Sequence, residues 1–215
     1  MAVSETIVRE FFESHGFLVH QRRKYVSPRA RSDEEIDFLV LNPRPVKSEG
    51  ALPFVLSSPD LARLERAIVV VKAWHTETFS PARLTGTPEL FRFVEPTVFK
   101  RAQRFFGDGL PLTKILVVPA LPASDGAREA SVSLLRSKGV EAVIPFRTVL
   151  ADLIAAVEPN RNYQKSDLLQ TLRVLKNYDF FREPQMELFK PRRRARKVVK
   201  PPADLPEANE AGAGA

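Results

Sequence analysis

The chain has 215 residues, of which 44% are hydrophobic, and a formal net charge of +7. It contains no cysteine, which excludes disulfides and thiolate metal sites and suits a reducing cytoplasm. No apolar run approaches the ~18 residues of a membrane span, and residues 1–13 carry three acids without a signal-peptide apolar region, so a soluble cytoplasmic protein is expected. Ser4 is placed to cap a first helix whose apolar face is Ile7, Val8, Phe11 and Phe12, with Gly16 as its stop. Strands are predicted over 17–25 and 35–41, separated by a polar turn. The proline-rich stretch 43–66 is a long excursion in which 54–56 forms a short extra strand. Residues 67–74 (AIVVVKAW) predict a buried central strand. A helix over 88–106 follows, then a strand over 114–119, a helix from Ser124 to Lys138 and a strand over 140–145. Two further helices are predicted over 147–157 and 166–178.

This order describes an α/β fold with a mixed sheet flanked by helices. The first three strands predict an antiparallel meander. The last two, joined by a helix, predict a right-handed crossover to a parallel neighbour. A single domain is expected over 1–189, followed by a disordered tail over 190–215. The tail divides in two by charge. Residues 190–200 hold seven Lys/Arg and no acid, including Arg192, Arg193, Arg194, Arg196 and Lys197; residues 201–215 hold three acids among Ala, Gly and Pro. The basic part favours polyanions through counterion release, while a solvated arm with no dedicated partner is the plainer reading. Arg22, Arg23 and Lys24, with Arg29 and Arg31, form a second basic group; Lys100, Arg101 and Arg104 form a third. Either can follow a phosphate backbone or simply face water.

Several chemistries are disfavoured. There is no phosphate-binding Gly-rich loop, no dinucleotide fingerprint, no zinc-protease helix motif and no serine nucleophile elbow. His15, His20 and His75 lack zinc-ligand spacing. What remains is an acid and a lysine inside apolar strands. By alternation Glu35, Asp37 and Leu39 share one face of the second strand, and Val70, Lys72 and Trp74 share one face of the third. If the strands pair, Asp37 and Lys72 approach the same end of the sheet. They can form an ion pair, reach water at a strand end, or carry chemistry.

Glu5, Val8, Phe12 and Gly16 on the first helix, then Glu35-Ile36-Asp37, then Val69-Val70-Val71-Lys72, resemble the PD-(D/E)xK superfamily of restriction-endonuclease-like nucleases. The resemblance covers residues 1–75 and implies a restriction-endonuclease-like fold and a metal-dependent nucleic-acid phosphodiesterase, with DNA the favoured substrate. It implies Asp37 as a ligand of Mg²⁺ (or Mn²⁺), hard ions that prefer oxygen. It implies Lys72 as the catalytic lysine stabilising the charged phosphorus centre, and Glu5 as the helix glutamate. One position departs from the pattern: Val70 stands where the second acid belongs. Either Glu35 or Glu77 substitutes as the metal ligand, or the fold persists as an inactive nucleic-acid-binding or assembly module. His75 is a candidate for metal or phosphate, Trp74 for core packing or base stacking, and Gln103 for a polar site residue. The pattern leaves oligomeric state, sequence specificity and pathway open.

Overall fold

A computed structural model of the chain describes residues 3–21, 36–47, 50–107 and 110–181. The predicted 1–189 domain boundary, Glu35, the basic groups at 22–31 and the whole 190–215 tail therefore lie outside the described residues.

The first helix, α1 (Val3–Ser14), buries Ile7, Val8, Phe11 and Phe12, the stripe that its 3.6-residue period sets on one side. It stops at Gly16, whose φ of +81° suits a residue without a Cβ. The chain then enters β1 (Leu18–Gln21), β2 (Phe38–Leu41) and β3 (Arg66–Val71). Ser4, expected as the cap, lies within α1, and the second strand starts at Phe38 rather than at 35. Between β2 and β3 a 3-10 turn, Ser58–Arg63, closes the excursion, with Asp60 accepting from the Ser57 amide at 2.8 Å.

After β3 come α2 (Pro81–Thr85), a 3-10 segment (Pro88–Val94) and α3 (Pro96–Phe106). The helix predicted over 88–106 is thus two pieces. Glu95 precedes Pro96 and is driven to extended backbone, φ −58° and ψ 139°, which breaks the helix. α2 was not anticipated, although Ser80-Pro81 is a helix-start pair: Ser80 Oγ accepts from the Arg83 amide at 3.3 Å. Then follow β4 (Thr113–Val118), α4 (Asp125–Ser137), β5 (Ala142–Pro145), α5 (Phe146–Ala156) and α6 (Asp167–Asn177).

The five strands lie in the order β1-β2-β3-β4-β5. β1 and β2 are antiparallel, as are β2 and β3; β3, β4 and β5 are parallel. The predicted meander and parallel crossovers are both present. Where a short extra strand over 54–56 was expected, the excursion makes only an isolated parallel bridge to β5, pairing Val55 with Val143. Helices cover both faces of the sheet. One apolar layer joins α1, α5 and α6 to Phe38, Val40, Val69 and Val117. The other joins α2, α3 and α4 to Leu39, Ile68, Val70 and Leu116. Glu10, buried on α1, is satisfied by the Ser166 hydroxyl at 2.8 Å and so ties α1 to the start of α6. No described helix is long and apolar enough to cross a membrane.

Candidate functional site

β1 and β3 both run antiparallel to β2, so they run parallel to each other, and Gln21 and Val71 end at the same side of the sheet. β2 begins there. This carboxyl end of the parallel strands is where open α/β sheets leave room for a ligand. Glu5, Asp37, Lys72 and His75 all map to it.

Each is held differently. Glu5 sits in the first turn of α1, and its Oε2 accepts from Gln21 Nε2 at 3.1 Å. Asp37 lies one residue before β2, with its amide donating to Val69 O at 3.1 Å and its Oδ2 accepting from the Val71 amide at 2.7 Å. The carboxylate thereby replaces a ladder bond at the point where β2 and β3 part. Ile36 packs in the same layer as Leu39, so strict alternation fails between 36 and 38. The face of Asp37 was therefore not legible from strand period. Lys72 continues from β3, its amide donating to Val117 O at 3.1 Å. Its side chain is half-buried, and among the described residues its ammonium makes no hydrogen bond or ion pair. The simple Asp37–Lys72 ion pair is accordingly absent among the described residues.

His75 meets the Ser4 hydroxyl through Nε2 at 2.9 Å, and its ring packs edge-on against Phe146 with centroids 4.6 Å apart. Ser4 thus serves a tertiary contact rather than the cap expected of it. Of the partners of Glu5 and His75, Gln21 was not singled out by the sequence and Ser4 only as a cap, because neither contact is local. Trp74 packs with the α2–α4 layer, edge-on to Phe79 at 5.7 Å, and Arg83 lies over its ring at 5.1 Å. Core packing, not a free stacking face, is its place. Gln103 lies on α3, half-buried.

The donor set can be tested against a divalent cation. Val70 is 1% exposed inside the apolar layer and offers no oxygen. Glu77, one candidate substitute, faces Arg83 at 3.5 Å instead. Asp37 already commits one oxygen to the backbone. Among the described residues no group of three or more His, Asp or Glu could hold a metal ion. Asp37 is the one candidate metal ligand among the described residues that keeps a carboxylate at this end, and Glu35, the other, lies outside them. These side chains make a sheet end at which Lys72 has no ion-pair partner among the described residues. Comparison with family models, with curated proteins and with solved structures finds no match to this chain in any of the three.

Proposed function

We propose that the chain is a nucleic-acid-binding module that contacts the phosphodiester backbone, of DNA in the first instance, at the Lys72 end of a restriction-endonuclease-like sheet. The observation that carries this is Lys72: a half-buried lysine without an ion-pair partner among the described residues, at the carboxyl end of the central strand. A cation so placed, with no ion-pair partner among the described residues, suits an anionic ligand better than a structural role. The sequence resemblance supplies the anion, a nucleic-acid phosphate, and the basic runs at 22–24 and 190–200 suit the same partner.

Metal-dependent cleavage is the second reading. It is favoured by Glu5 and Asp37 reaching the same end of the sheet as Lys72. It requires Glu35 to supply the oxygen that Val70 lacks.

Anisotropy measurements with labelled single- and double-stranded DNA and RNA, over a salt series, test the first reading. Binding should weaken on Lys72→Ala, and removal of 190–215 should lower the salt dependence. Equal affinity in wild type and Lys72→Ala would remove the sheet end from the interface. Incubation with Mg²⁺ or Mn²⁺ tests the second reading, which stands if product appears and is lost in Asp37→Ala, Glu35→Ala and Lys72→Ala alike. Val70→Glu separates the two readings. An unpaired carboxylate in that apolar layer is expected to destabilise the fold by about 3–5 kcal/mol without creating activity. Cleavage by a folded Val70→Glu protein would overturn the binding-only reading.

A further inference from the structure

A groove of about 560 Å³ runs along the outer side of β1, lined by Glu13, Leu18, His20, Leu41, Phe105 and Phe106 among others. Two of its large apolar side chains are open to water: Leu18 is 62% exposed and Phe105 56%. The His20 and Phe105 rings lie 4.8 Å apart at an interplanar angle of 34°, forming an aromatic shelf between the edge strand and the end of α3. Alongside it, α3 carries Lys100, Arg101 and Arg104 and no acid. Positions 101, 104 and 105 fall on one helical face, so cations adjoin the exposed ring. Lys100 and Arg104 have no ion-pair partner among the described residues. Among the described residues Glu13 is the one acid lining the groove, and burial pushes its carboxyl above the usual range against the opposing pull of Arg9. The groove itself thus suits an apolar ring, and the adjoining helix suits negative charge.

We propose that this groove holds an unpaired base of a nucleic-acid strand, stacked on Phe105 and His20, with Lys100 and Arg104 on the flanking phosphates. The proposal rests on the nucleic-acid reading above and narrows it to single-stranded or locally opened substrate. Every base offers a π-face, so such a shelf binds without sequence preference, whereas a base within a duplex has both faces covered. A second copy of the chain fits the site less well. In a two-fold pairing through this patch the same cations of α3 would face one another. β1 ends at Gln21, which touches Glu5, so a strand held in the groove continues toward the Lys72 end.

The test uses the full chain, with a fluorescent oligothymidylate and a hairpin duplex of equal length. Wild type should bind the single strand more tightly. Phe105→Ala should weaken that binding by roughly 5- to 100-fold, the worth of one stacked base, without changing the salt slope. Lys100→Gln with Arg104→Gln should instead reduce the slope by about 1.4, the loss of two phosphate contacts on a single strand. Phe105→Trp should retain binding and add a tryptophan signal that the oligonucleotide quenches. The proposal is overturned if Phe105→Ala binds the oligothymidylate as wild type does, or if the duplex binds as tightly as the single strand. It is also overturned if sedimentation shows a dimer that Phe105→Ala converts to monomer, since the groove would then seat a second copy. Lys72→Ala keeps the two proposals apart. Loss of binding there with none in Phe105→Ala removes the groove and leaves the sheet-end reading. The reverse pattern does the opposite.

Discussion

The two edges of the sheet are finished in different ways. At β5 the chain supplies its own cover: Leu56 donates to Val143 O at 2.9 Å and Val143 donates to Phe54 O at 2.7 Å. Phe54 and Leu56 are buried there, and Arg136 lies over the Phe54 ring at 4.8 Å. At β1 the strand is four residues long and beside it lies the groove with Leu18 and Phe105 open to water. An uncovered edge invites pairing with other chains, and short strands and neighbouring cations are the usual protections. Arg22, Arg23 and Lys24 follow β1 directly in sequence. Among the described residues, then, the β5 edge carries a backbone cover and the β1 edge carries the exposed apolar groove.

That division is broken most directly at the covered edge. Leu56 is 1% exposed and packs into the layer of α1 and α5. Leu56→Ala should cost about 2–5 kcal/mol, the range for deleting a buried leucine side chain, read as a lowered midpoint in urea. Its effect on nucleic-acid affinity in the folded protein should be negligible. If Leu56→Ala leaves stability unchanged, the 54–56 segment does not hold the β5 edge.

Much of this architecture was legible from the sequence, for reasons that separate it from what was not. Apolar period placed α1, β3, β4 and β5, because those elements bury a face or both faces and their patterns follow from backbone geometry alone. The start of β2 was misplaced because Asp37 turns its carboxylate onto the Val71 amide, a long-range contact that alternation cannot carry. Glu77 looked like a spare ligand only until α2 placed Arg83 beside it. The candidate site was legible as a location, the end of two strands and the start of a helix. The contacts that orient it, Gln21 to Glu5 and Ser4 to His75, come from residues 16 and 71 positions apart in the chain.

A smaller effect is expected at Lys72, and its sign is the informative part. Lys72 is a half-buried lysine with no ion-pair partner among the described residues, so replacing it by an apolar side chain of similar length forfeits no ion pair there. Lys72→Met should therefore keep the thermal midpoint or raise it, by up to about 1 kcal/mol in stability, while weakening nucleic-acid binding. A clear loss of stability would assign Lys72 a structural role and withdraw the observation on which its phosphate contact rests.

The smallest effect belongs to the open edge. Leu18 projects into solvent, so Leu18→Ser removes little buried area and should shift stability by no more than about 0.5 kcal/mol. A leucine spent on water gains the fold little, yet the same side chain lines the groove and keeps it apolar. Leu18→Ser should hence lower single-strand affinity by a few-fold, less than Phe105→Ala, because it offers edge contact rather than a stacking face. Equal stability with reduced affinity places the work of β1 in binding. A stability loss on the scale of Leu56→Ala would mean that both edges serve the fold, and the contrast between them would disappear.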